Sequence, residues 1–147
     1  MQDDRLRTSL GNALVRMFRL VNRTHNRALA AFDLSAEQAH ILGVLWVYGA
    51  MPMGQLQRLL ALSSATLTGA IDRMEAQAMV RRTPSPDDKR AYLIEPRLAD
   101  KRRKQIEDKI EATEATCWGG LTAAERKELL RLLDKAIAHL EPDAVAR

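Results

Sequence analysis

Residues 53–94 constrain the fold more than any other stretch of this chain. Met53 to Leu60 has helical spacing, with Leu56, Leu59 and Leu60 on one face. Ala61-Leu62 leaves room only for a tight turn, and Ser63 is a residue that caps helix N-termini. From Ser63 to Gln77 the apolar residues Leu67, Ala70, Ile71 and Met74 fall on one helical face. The other face carries Ser64, Thr66, Thr68, Asp72 and Arg73. After Ala78 the pattern changes. Met79 to Thr83 suits a strand, Pro84-Ser85-Pro86-Asp87-Asp88 reads as a turn outside regular structure, and Arg90 to Ile94 suits a return strand. Two short helices on a tight turn, then a charged β-hairpin, are the expectation.

Helices flank this centre. From Arg5 to about Ala31, Leu6, Leu10, Leu14, Met17, Val21 and Leu29 recur at helical steps, with Arg16, Arg19, Arg23 and Arg27 between them as a solvated face. So long and narrow a stripe packs along another long helix, in the same chain or across a dimer. Ser35 and Gln38 form a capping box for a second helix, which Tyr48-Gly49-Ala50-Met51-Pro52 ends. A polar helix follows the hairpin from about Leu98 to Gly119, with Ile106, Ile110 and Cys117 on a thin seam. Thr122 and Glu125 make a second capping box, and Pro142 marks the end of the last helix. Aromatic residues are only 4% of the chain, so Leu, Ala, Met and Ile fill the interior, which favours helices over a large sheet. The fold class expected is mostly α.

The middle of the chain carries the functional reading. A helix-turn-helix places its second helix in the major groove of DNA, N-terminal residues toward the base edges. Here those residues are Ser63, Ser64, Thr66 and Thr68, with Arg73 further along. Gly69 invites close approach of DNA or another helix. The hairpin acts as a wing, its Arg81, Arg82, Lys89 and Arg90 meeting phosphates or a minor groove. Arg90 has an alternative partner in Asp88, which would brace the wing. The formal charge of +4 suits a polyanionic partner only because of where these cations sit.

Other classes find little support. There is no nucleophile elbow, phosphate-binding glycine loop, zinc-helix histidine pair or cysteine pair, so no enzyme, metal or cofactor is expected. One cysteine makes no internal disulfide, the N-terminus lacks a signal-peptide layout, and no stretch suits a membrane span, which points to the cytoplasm. The main alternatives are a helical dimeric interaction protein and a nonspecific DNA binder without ligand sensing.

Several motifs, taken in order and spacing, resemble the MarR-type (multiple antibiotic resistance regulator) family of transcriptional regulators. They are Leu34-Ser35-Ala36-Glu37-Gln38, Ser64-Ala65-Thr66-Leu67-Thr68, Ile71-Asp72-Arg73-Met74-Glu75, Val80-Arg81-Arg82 and Pro86-Asp87-Asp88-Lys89-Arg90, the last fitting an Asp-x-Arg wing signature through Asp88 and Arg90. The resemblance implies a winged helix-turn-helix at residues 34–96. It implies a helical dimerisation region from residues 1–33 and 97–147, hence a homodimer on pseudo-palindromic double-stranded DNA, often as a repressor. Half-sites would then repeat about one helical turn apart. It further implies a cleft for a small aromatic or phenolic effector, with His25, His40 and Trp46 as candidate contacts. Two departures stand out. Ala78 stands where the family usually has glycine, and Pro96, Arg97 and Asp100 stand where it commonly has Leu, Thr and Gly. No cysteine lies near the N-terminus, so peroxide sensing does not carry over.

Overall fold

A computed structural model describes residues 9–141. Leu6, the start of the first helix at Arg5 and Pro142 lie outside the described residues. The elements are α1 (Leu10–Leu29), a 3₁₀ turn (Ala30–Phe32), α2 (Ala36–Tyr48), β1 (Met51–Pro52), α3 (Met53–Leu60), α4 (Ser64–Ala76), β2 (Val80–Pro84), β3 (Tyr92–Pro96), α5 (Asp100–Trp118) and α6 (Ala123–Leu140). The fold is mostly helical with one small antiparallel sheet. Two compact units divide it, one ending at Ile110 and the other beginning at Glu111.

The first unit is built around one core. Leu29, Leu34, Ile41, Leu42, Leu45, Leu56, Leu67, Ile71, Met74 and Ile106 are buried together, joined by Met51, Met79, Val80 and Ile94 from the strands. Both capping boxes read from the sequence are present. Ser35 Oγ accepts from the Gln38 amide while Gln38 Oε1 accepts from the Ser35 amide. Thr122 and Glu125 are joined in the same reciprocal way at the head of α6. Asn26 of α1 reaches across to accept the Ala36 amide at 2.7 Å, which satisfies another unpaired donor of the α2 N-terminus. The last turn before that junction is tighter than expected. The α-helix stops at Leu29, and residues 30–32 wind as 3₁₀ before Asp33 takes a left-handed conformation.

The hairpin is one strand short of the observed sheet. Met51 and Pro52 pair with Ile94 and Leu93, giving strand order β1-β3-β2. A two-residue strand carries no period to read, and Pro52 argues against one. It is tolerated because β1 is an edge strand. The hairpin itself lies slightly later than expected. Pro84 is the last residue of β2, opposite Tyr92, and the return strand runs to Pro96 rather than Ile94. Both prolines close strand ends, where a missing N–H costs no ladder bond. One other expectation shifts on burial: Leu59, read as inward-facing, is about half exposed (49%).

In the second unit, α5 ends where Gly119 sits so close to the preceding turn that a Cβ would stand 2.9 Å from the Ala115 carbonyl oxygen. Only glycine fits there without the backbone shifting. Leu130, Leu132, Ile137 and Leu140 of α6 are exposed in the single chain.

Candidate nucleic-acid interface

α3 and α4 meet in a turn of three residues, 61–63. Ala61 adopts φ 50°, ψ 36°, and its amide together with that of Leu62 returns to the α3 carbonyls of Arg58 and Gln57. The chain then re-enters helix at Ser63, whose Oγ accepts the Thr66 amide at 3.1 Å and lies 2.7 Å from Thr66 Oγ1. The face Leu67, Ala70, Ile71 and Met74 is fully buried. That burial leaves Ser64, Thr68, Asp72 and Arg73 on the outside, all exposed. Gly69 has no neighbour within 4 Å except the Arg73 guanidinium, 3.4 Å from where a Cβ would stand. Among the described residues no other helix presses on it.

The exit of α4 fixes where the wing begins. The Met79 amide bonds the Met74 carbonyl, and the Ala78 amide bonds that of Glu75. This 6→1 and 5→2 pair is a Schellman motif, with Ala78 in the left-handed position at φ 55°. Alanine thus takes the conformation that glycine usually supplies. Gln38 steadies the same exit, donating from Nε2 to Gln77 Oε1 at 3.2 Å.

The wing is a paired ladder from Val80↔Pro96 to Pro84↔Tyr92. Its base is closed by the Arg97 amide on the Met79 carbonyl, and its tip by the Ser85 amide on the Ala91 carbonyl. Asp88 is the organiser of the tip. Its carboxylate accepts the Arg90 backbone amide at 2.9 Å and its carbonyl accepts the Ala91 amide. The bond to Arg90 therefore runs to the main chain, not to the guanidinium. Lys89 and Arg90 are exposed at this tip.

Arg81 and Arg82 are placed differently. Arg81 stands opposite Glu95 across the ladder and donates from Nε to Oε2 at 2.7 Å. That bond holds the Glu95 carboxyl below its ordinary range and raises Arg81. Arg82 turns back onto α4. One terminal nitrogen donates to Asp72 Oδ1 at 2.6 Å and the other to Glu75 Oε2, while the Arg82 amide donates to Glu75 Oε1 at 3.1 Å. Its guanidinium is committed inside the chain, and the bond to Asp72 is the largest cause of its raised pKa. Sequence reasoning named the arginines but missed their partners. The available signal was three acids, Asp72 and Glu75 one turn apart and Glu95 on the return strand, each within reach of the Val80-Arg81-Arg82 strand.

The three candidate effector contacts stand in different surroundings. His25 is buried in α1, its Nδ1 3.1 Å from the Val21 carbonyl oxygen. His40 is exposed on α2, and Trp46 is half-buried beneath the Arg103 guanidinium, 5.3 Å from the ring centroid. An open groove of about 600 Å³ lies along α1, lined by Phe18, Arg19, Asn22, Arg23, Asn26 and Arg27. Among the described residues no cluster of His, Cys, Asp and Glu is placed to hold a metal ion. Nor is any helix there long and apolar enough to cross a membrane.

Two helices across a tight turn, an exposed polar face on the second and a wing anchored to its end define a winged helix-turn-helix. The MarR family model matches residues 34–92, the motif up to the first residue of the return strand. A Bacillus subtilis relative described as the uncharacterized HTH-type transcriptional regulator YcgE is 33% identical over 106 residues, 69% of this chain and 68% of that one. A mutant MarR from E. coli complexed with operator DNA superposes with a TM-score of 0.74 at 25% identity, over 86% of this chain and 92% of the other. Bordetella bronchiseptica BpsR, whose DNA binding is regulated by 6-hydroxynicotinic acid, superposes with a TM-score of 0.75 at 26% identity, over 88% and 93%. The chain belongs to the MarR family: it is a DNA-binding transcriptional regulator.

Proposed function

We propose that this regulator acts in the cytoplasm as a homodimer on a pseudo-palindromic operator, as a repressor released by a small aromatic or phenolic effector. The observation that carries the DNA reading is the outer face of α4, where Ser64, Thr68 and Arg73 stand exposed beside a wing tip bearing Lys89 and Arg90. Ser64, Thr68 and Arg73 contact base edges and phosphates. Ser63 and Thr66 are tied to each other and set the helix start, with their remaining hydroxyl capacity toward the backbone. Lys89 and Arg90 meet phosphates or a minor groove, and Asp88 holds them in place. The residue-level assignment rests on exposure and on the likeness to a family member bound to operator DNA.

Exposed Leu10, Leu14 and Phe18 on α1, and Leu130, Ile137 and Leu140 on α6, supply apolar surface that a second copy covers. Residues 1–33 and 97–147 form the dimerisation region, and 34–96 the DNA-binding region. Effector release rests on likeness to BpsR.

The test is fluorescence anisotropy with the DNA flanking the protein's own gene and a shuffled duplex, across a salt series. Selective binding that weakens with salt is expected. Lys89→Ala weakens binding to both duplexes and lowers the salt slope by about 1, the signature of one lost phosphate contact. An unchanged slope removes Lys89 from the interface, and equal affinity for the two duplexes overturns sequence-specific regulation.

A further inference from the structure

We propose that Arg82 is a positioning residue: its guanidinium clamps Asp72 and Glu75 of the recognition helix to the wing, and DNA affinity depends on that clamp and not on an Arg82–phosphate contact. The inference rests on the winged-helix reading above.

Three bonds make the clamp. Two come from the guanidinium, one to each carboxylate, and the third is the Arg82 amide on Glu75 Oε1. Asp72 and Glu75 lie one turn apart on α4, so the planar fork spans both at once, as an ammonium does not. Its placement is favourable on energetic grounds. The Arg82 side chain is only 27% exposed, so the pairs are less screened than those on open surface. The backbone leg matters equally, because it fixes the strand and not merely a side chain. Beyond Arg82 the ladder continues through Thr83↔Leu93 and Pro84↔Tyr92 to the turn that carries Lys89 and Arg90, so rotation at the clamp would displace that turn.

The clamp has a second effect. Asp72 is on the exposed side of α4, next to Arg73. A carboxylate facing a phosphate backbone opposes binding. Paired with Arg82, the two acids present one net negative charge instead of two.

These roles make opposite predictions for one substitution. In a simple charge picture, Glu75→Gln removes a negative charge near DNA and tightens binding. In the clamp, it frees the wing and weakens binding. The experiment compares wild type, Glu75→Gln, Arg82→Ala, Arg82→Lys and the Arg82→Ala/Glu75→Gln double variant. Affinity is read by anisotropy on the flanking duplex across a salt series, with circular dichroism melts on the same samples to establish that each variant is folded.

The clamp predicts that Glu75→Gln and Arg82→Ala each weaken binding on the order of ten-fold, and that the double variant is no weaker than Arg82→Ala, because contacting residues share one coupling. Arg82→Lys is intermediate, and Arg82→Ala keeps the wild-type salt slope. Tighter or unchanged binding by Glu75→Gln overturns the proposal. So does a slope lowered by about 0.9 in Arg82→Ala, the mark of a lost phosphate contact. If Glu75→Gln melts far below wild type, Arg82→Lys decides by the same two readings. Wild-type protein that binds no duplex at low salt removes the DNA reading itself and the clamp's role with it. Wild-type binding with an indifferent Glu75→Gln removes the clamp alone.

Discussion

At the scale of single residues, Ala78 shows a local rule broken at a joint. Its φ of 55° is held by two amide–carbonyl bonds and by burial of Met79 behind it, so the Schellman turn forms although a Cβ opposes it. The left-handed conformation costs a non-glycine residue about 1 kcal/mol, part of which glycine returns through its freer unfolded chain. Ala78→Gly should therefore raise the melting temperature by roughly 2 °C, read by calorimetry. A lower melting temperature would mean that the Cβ makes a contact worth more than the strain. Glu95 gives a pH prediction. The Arg81 guanidinium depresses its carboxyl below the ordinary value of 4.5. A depressed carboxylate contributes stability above the unfolded value, and that contribution fades as pH falls through the folded one. The melting temperatures of wild type and Glu95→Gln should differ at neutral pH and converge below 4.5; a constant gap across that window would remove the pair as its cause.

At the scale of elements, α4 serves two surfaces with thirteen residues. Its inner face is fixed by Leu67, Ala70, Ile71 and Met74, and its outer face keeps a glycine that weakens it. Gly69→Ala meets only the Arg73 guanidinium, the end of a flexible side chain, so the variant folds. It should stabilise the helix by up to about 1 kcal/mol. If Gly69 is there for close approach to DNA, the same variant binds its operator more weakly. Denaturant melts and anisotropy on one preparation separate the two effects, and gain in both stability and affinity would leave Gly69 without an interface role. The heads of α2 and α6 were readable because a capping box lies within four residues. The wing's anchor to α4 was not, because it joins Asp72 and Glu75 to a residue seven or more positions on, across a turn whose geometry Ala78 concealed.

At the scale of the whole molecule, the first unit buries a continuous core while α1 and α6 leave apolar side chains in water. Leu10 is 82% exposed and Leu140 78%. In the proposed dimer this surface lies against the second copy. Phe18→Glu together with Leu130→Glu should convert a dimer into monomers in sedimentation velocity and abolish selective DNA binding. The loss follows because two half-sites are read by two chains. A monomeric wild type at micromolar concentration would contradict the dimer, and variants that remain dimeric would move the interface away from these residues.

Periodicity determined the helices, caps and core, because those depend on neighbours three or four positions apart. Helix α3 spans the residues its spacing indicated, and Ser35, Ser63 and Thr122 cap the helices they precede. The motif order was enough to indicate the family. Tertiary structure alone decided which charged residues pair within the chain. Arg81 and Arg82 are adjacent in sequence and look like the wing cations Lys89 and Arg90. Pairing with Glu95 across the ladder and with Asp72 and Glu75 across the joint sets them apart. Strand β1 was hidden for the same reason: two residues carry no period, and only Ile94 and Leu93 alongside them make Met51 and Pro52 a strand. A local pattern fixes what a segment does by itself, whereas the fate of a charge or an edge depends on what the fold brings next to it.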